Sequence, residues 1–212
     1  MPDKLKTSSN KKLYPSYLNA WRDGSLEKTI DKTFKLLENC SLCPRRCKVN
    51  RAKNELGFCK TGQNFKIYSY LAHHGEEPPI SGIKGSGTIF FSGCNMACSY
   101  CQNYIFSQIG EGKDVIPEEL AFFMLKLQNL GCHNINLVTP THVLAQILKA
   151  LSLAIPKGLH IPLVYNTSGY VLAGMIKLLD GIIDIYLTDM RYADSNISLK
   201  YSSAGSISLC RL

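Results

Sequence analysis

From residue 88 onward, short apolar runs and helical patterns alternate about every 25–30 residues, the signature of parallel βα units. The runs are Thr88–Ser92, Asn134–Val138, Ile161–Asn166 and Ile182–Leu187. Between them lie helical patterns: one opened by Pro117-Glu118-Glu119 and ended by Gly131, then residues 141–154 and 170–180. Each apolar run ends in a polar cluster: Gly93 to Cys101, Thr139-Pro140-Thr141-His142, Thr167-Ser168-Gly169 and Thr188-Asp189-Met190-Arg191. In a βα barrel or an open parallel sheet these loops converge at one end, where such folds carry their chemistry.

The first of these loops holds three cysteines, Cys94, Cys98 and Cys101, at C-x3-C-x2-C spacing. A loop can aim three thiolates at one point, as an iron–sulfur cluster requires. Three ligands to a four-iron cluster leave one iron open to a substrate or cofactor. The chain has nine cysteines; Cys40, Cys43, Cys47 and Cys59 form a second group, and Cys132 and Cys210 stand alone. Cys132 reads as a small buried apolar residue at a helix end. Clustered cysteines with no secretory signal favour metal or cluster ligation over disulfides, which fits a reducing cytoplasm. Residues 1–12 are polar and basic without an apolar segment, and no apolar stretch is long enough to span a bilayer, so no membrane partner is expected. The formal net charge of +8 reads either as a solvated basic surface or as a docking face for an acidic partner such as a small electron carrier. A nucleic acid would also suit that charge but is the less expected partner.

Upstream of the barrel-like region, residues 1–24 read as a flexible tail. A helix is expected from Ser25 as N-cap through Leu26, Ile30, Phe34 and Leu37. It leads to Cys40-x2-Cys43-x3-Cys47-x11-Cys59, four soft ligands able to close a zinc site or hold a second cluster, with Arg45, Arg46, Lys48 and Arg51 to offset thiolate charge. Lys66–Ala72 alternates like a strand, and His73-His74-Gly75-Glu76-Glu77-Pro78-Pro79 follows it. That loop is either a rigid solvated turn or a cover for the cysteine loop. The expected divisions are a Cys-rich extension over 25–82, a core over 83–203, and an unrelated tail over 204–212.

Cys94-x3-Cys98-x2-Cys101, with Tyr100 before the last cysteine, resembles the radical S-adenosylmethionine (SAM) signature. Cys40-Ser41-Leu42-Cys43-Pro44, His74-Gly75-Glu76-Glu77-Pro78, Gly85-Ser86-Gly87 and Cys101-Gln102-Asn103 extend the likeness to the branch related to pyruvate formate-lyase activating enzymes. The resemblance implies an α/β fold, a partial (β/α) barrel of radical SAM type, here with about four βα units. It implies a 4Fe-4S cluster on Cys94, Cys98 and Cys101, with SAM chelating the open iron. One electron from the cluster then cleaves the sulfonium to methionine and a 5′-deoxyadenosyl radical. Tyr100 would lie against the adenine. Asn166 and Ser168, on the third-strand element, would help hold SAM. Asp189 and Arg191 resemble an Asp-x-Lys element contacting ribose and carboxylate, with Arg in place of Lys. The implied partners are a flavodoxin- or ferredoxin-like low-potential electron donor and a glycyl-radical protein as substrate.

Two departures accompany the likeness. A Gly-Gly-Glu-Pro-like element is replaced by Val138-Thr139-Pro140-Thr141-His142, where Thr139 and Thr141 offer oxygen acceptors but no anion, and His142 is a candidate catalytic group or a helix-start histidine. A radical SAM core resembles six βα units rather than four, which leads to the expectation of a truncated or fragmentary chain. Two readings stand beside the enzyme: a zinc- or cluster-binding protein, and a remnant without turnover.

Overall fold

The computed structural model describes residues 14–205. Its framework is one six-stranded sheet in the order β3-β1-β2-β4-β5-β6, formed by β1 (Phe65–His73), β2 (Ser86–Phe91), β3 (Lys113–Val115), β4 (Ile135–Val138), β5 (Leu163–Thr167) and β6 (Ile185–Thr188). β2, β4, β5 and β6 run parallel, and β1 pairs antiparallel with both β2 and β3. Four helices follow the four parallel strands: α4 (Pro117–Asn129), α5 (Leu144–Ala154), α6 (Ala173–Leu178) and α7 (Ser195–Ser202). This is the expected α/β arrangement of four βα units, a partial barrel.

Strand alternation decides the two faces of the sheet. Ile89, Phe91, Ile135, Leu137, Leu163 and Tyr165 face one way and join Leu120, Met124, Leu127, Ile147, Leu148 and Leu151 in one core. Full burial of each such side chain contributes roughly 2 kcal/mol, so this helix-covered face carries the stability. The other face is freed for function. There Phe90, Val138 and Asn166 lie in register across β2, β4 and β5.

Several sequence expectations are corrected. Part of the expected flexible tail is packed: α1 (Tyr17–Arg22) buries Tyr17, whose hydroxyl donates to Ile161 O at 2.8 Å, and Ser16 N–H donates to Asp184 Oδ1 at 2.9 Å. The rest of the expected tail, residues 1–13, lies outside the described residues. α2 (Ser25–Glu38) begins with Ser25 inside the helix, because Gly24 takes the left-handed cap position at φ 78° and Asp23 Oδ1 receives the Ser25 N–H. The division at 82 and 83 does not hold, since β1 belongs to the core sheet and α2 packs on α5. The helix expected over 141–154 starts as a 3-10 turn at Pro140–Val143, and the one over 170–180 contracts to α6. Ala204, assigned to an unrelated tail, is buried against Met96, Cys98 and Tyr170. Residues 206–212, including Cys210, lie outside the described residues. Between β1 and β2 sits one short turn of helix, α3 (Pro78–Ser81), with Pro78 at its first position. Among the described residues, no helix is long and apolar enough to cross a membrane.

Candidate functional site

The chain leaves β2 through Gly93, whose φ of 82° and whose contact distances both demand glycine: a Cβ there would meet Cys59 O at 2.5 Å. Gly93 N–H donates to Phe106 O at 2.9 Å, and the loop is then stitched to α7 by Ala97 N–H to Ser202 O (3.0 Å) and Ser99 N–H to Tyr201 O (2.8 Å). The loop is therefore held from both ends of the core. It presents Cys94, Cys98 and Cys101 to a cavity of about 560 Å³, ample for a small-molecule cofactor.

Each of the three sulfurs has a hydrogen-bonding neighbour. Met96 N–H donates to Cys94 Sγ (3.3 Å), Ser202 Oγ–H donates to Cys98 Sγ (3.0 Å), and Cys101 Sγ pairs with Ser107 Oγ (3.2 Å). Such bonds favour the thiolate, the form that binds metal. Burial acts the other way, pushing the Cys94 thiol up to about 12, with the Cys98, Cys101 and Cys59 thiols adding to the rise. A bound cation or cluster would reverse that balance. Among the described residues no three His, Cys, Asp or Glu side chains are arranged to hold a single metal ion. A four-iron cluster spreads its ligands around a larger body than one ion, so three convergent, hydrogen-bonded cysteines fit it.

The rest of the cavity wall comes from strand ends. Phe90, Val138 and Asn166 form its row across the sheet, with Thr139, Thr167, Ser168, Asp189, Arg191 and Tyr100 above them. Thr139 lies in the left-handed region at φ 55°, ψ 53°, an uncommon conformation for a β-branched residue, and its N–H donates to Asn166 O at 2.8 Å. Arg191 Nη2 bonds Asp189 Oδ2 at 2.6 Å, and its guanidinium carbon stands 6.0 Å from the Tyr100 ring centre. Tyr100 is about half exposed and its hydroxyl meets that of Tyr192 at 2.5 Å; Tyr192 in turn meets Ser202 Oγ at 2.6 Å. Because Ser202 spends its proton on Cys98, Tyr192 donates to Ser202 and Tyr100 donates to Tyr192.

Two residues named from the sequence stand elsewhere. Thr141 is buried outside the cavity and accepts from the Tyr165 hydroxyl at 2.9 Å. His142 is also buried away from the cavity, with Nε2 2.8 Å from Ser92 O. Burial, with the nearby Arg51 charge adding to it, lowers its imidazole to about 4. It is a neutral group bracing the start of the cysteine loop, not a proton donor facing a ligand. Conversely, the cavity holds a carboxylate that the Thr139–His142 segment lacks. Glu76 lines the wall from the β1–β2 connection, with Asn136 Nδ2 donating to its Oε1 at 3.0 Å. Burial and then the neighbouring Glu77 raise its carboxyl above the usual range. His73 lines the same wall. Ser107, Tyr192 and Ser202 are further contributors that sequence reasoning missed; their spacing from the cysteines has no local signature.

The Radical SAM superfamily model matches residues 88–194, the span from β2 to just past β6. The chain belongs to the radical SAM superfamily. An uncharacterized protein, MJ0674, of Methanocaldococcus jannaschii is 33% identical over 186 residues, covering 84% of this chain and 52% of the relative. The chain thus spans about half the length of that relative.

Proposed function

We propose that the chain is a radical SAM enzyme whose cluster sits on Cys94, Cys98 and Cys101 and whose SAM occupies the adjoining cavity. The observation that carries this reading is the convergence on one cavity of three thiols, each with a hydrogen-bonding neighbour, and the polar ends of β4, β5 and β6. When bound, the cluster and SAM together supply a low-potential electron and a sulfonium whose cleavage gives methionine and a 5′-deoxyadenosyl radical. The chain's own residues do the holding. Asn166, Ser168 and Thr139 offer hydrogen bonds to the polar atoms of SAM. The Asp189–Arg191 pair offers an acceptor for ribose and a donor for a carboxylate, and the Tyr100 ring covers the open side. Phe90 and Val138 supply apolar wall that excludes water from the reacting end.

The finer assignment is to an activating-enzyme-like role, with a glycyl-radical protein as substrate and a flavodoxin- or ferredoxin-like donor. It rests on the shared motifs and on the basic surface implied by the +8 charge, which suits an acidic electron carrier. The test is anaerobic reconstitution with iron and sulfide, reduction, and addition of SAM. Formation of 5′-deoxyadenosine and methionine in equal amounts is expected, abolished in Cys98→Ala. A fully loaded protein that leaves SAM intact would refute the assignment.

A further inference from the structure

The four cysteines between α2 and β1 take no part in the cavity, yet the chain around them is built with the same care. Cys40, Cys43 and Cys59 are buried, Cys47 is half-buried, and all four are free thiols. Cys40 N–H donates to Val49 O (2.9 Å) and Lys48 N–H to Cys40 O (3.1 Å), folding the two arms of the segment onto each other. Phe58 N–H points at Cys47 Sγ from 3.5 Å. Gly57 leaves room for that sulfur, since a Cβ there would lie 3.1 Å from it. The backbone is left-handed at three non-glycine residues beside these cysteines: Arg46 (φ 42°) and Lys48 (φ 63°) flank Cys47, and Lys60 (φ 55°) follows Cys59. Such conformations persist where the surroundings over-determine them, and they cluster at ligand sites.

Charge supplies an independent observation. Arg51 is 1% exposed, and its guanidinium bonds Gly62 O (3.3 and 3.1 Å) while Nη1 stands 4.0 Å from Cys40 Sγ. Among the described residues the recorded salt bridge is Arg191–Asp189, so this buried cation has no carboxylate partner. Arg45 stacks at 3.4 Å on Phe58 and donates from Nε to Asn95 O, yet its buried Nη2 has no hydrogen-bond partner. Buried cations call for an anion nearby. Four metal-bound thiolates supply one.

The choice of metal follows from spacing. Zinc draws its thiolates to about 2.3 Å from a single point. Among the described residues no three such ligands are arranged for one ion. The same holds for the Cys94, Cys98 and Cys101 loop, so single-ion spacing is absent from both groups among the described residues. We infer that Cys40, Cys43, Cys47 and Cys59 hold a second iron–sulfur cluster rather than zinc, with Arg51 as its buried counter-cation. This inference is independent of SAM binding, because it concerns thiols outside that cavity.

The test counts metals in protein purified without oxygen. The wild type should hold more iron and sulfide than the roughly four of each that one cubane supplies. A Cys94→Ala, Cys98→Ala, Cys101→Ala variant should keep iron and sulfide in equal amounts without zinc, and should keep the absorbance near 400 nm. Within that triple variant, Arg51→Gln should lower the midpoint potential of the retained cluster, while Arg51→Lys should leave it nearly unshifted. One zinc per chain with no sulfide in the triple variant would overturn the inference. So would a wild type whose iron never exceeds that of a single cubane.

Discussion

The Ser202 hydroxyl donates to Cys98 Sγ, and its oxygen accepts from the Tyr192 hydroxyl, which in turn accepts from that of Tyr100. Hydrogen bonds to a cluster sulfur stabilise the more negative, reduced state and so raise its potential. Ser202→Ala should therefore lower the midpoint potential of the cavity cluster, measured by redox titration followed by electron paramagnetic resonance; an unmoved potential would deny the contact its role. Thr139 presents a different balance. Its left-handed backbone costs of order 1 kcal/mol that glycine would not incur, yet its side chain lines the cavity. Thr139→Gly should raise the thermal midpoint while weakening SAM binding in equilibrium dialysis. His142 gives a pH dependence whose sign is fixed. Its imidazole is lowered from 6.5 to about 4 in the folded chain, so the unfolded chain binds the proton first as pH falls. The stability from the neutral ring is complete above pH 6.5 and lost as pH falls towards 4, about 3 kcal/mol in all. Urea unfolding between pH 7 and 4 should show that loss, and His142→Gln should remove it.

Among elements, α7 matters most for the site although no sequence pattern announced it. It starts at Asp194, whose Oδ1 accepts from Asn196 N–H (2.8 Å) and Ile197 N–H (2.9 Å), and its last turn binds the cysteine loop through Tyr201 O and Ser202 O. Asp194→Ala should cost about 1 kcal/mol and, by loosening that turn, speed amide exchange at Ala97 and Ser99; hydrogen-exchange mass spectrometry reads both. The elements that were legible carried strong local signals. α4 runs from Pro117 to Asn129 because proline fits the first turn, two acids follow it, and Gly131 stops the chain. The elements that were not legible depend on distant partners. α1 is held by Ile161 O and Asp184, and β3 is three residues paired to β1. No window of sequence contains such a pairing.

At the scale of the molecule, the period of strands and helices was enough to read a parallel sheet with its chemistry at one end. The fold also explains which candidate residues miss the site. Thr141 and His142 follow Thr139 into a 3-10 turn that carries them behind the sheet end, whereas Glu76 reaches the wall from a hairpin 60 residues away in sequence from Asn136, its hydrogen-bond partner. Motif spacing places the cysteines and strand ends and offers the His73–Pro79 loop as a cover; the folded sheet sets Glu76 of that loop into the wall. β6 stands at the edge of the sheet with none of its residues fully buried, in a chain that spans 52% of its relative. The most direct measurement is the electron paramagnetic resonance spectrum of the reduced, reconstituted protein with and without SAM. Binding of SAM at the open iron of the Cys94, Cys98 and Cys101 cluster should shift that spectrum, and the shift should vanish in Cys98→Ala. A loaded cluster whose spectrum SAM leaves unchanged would contradict the account.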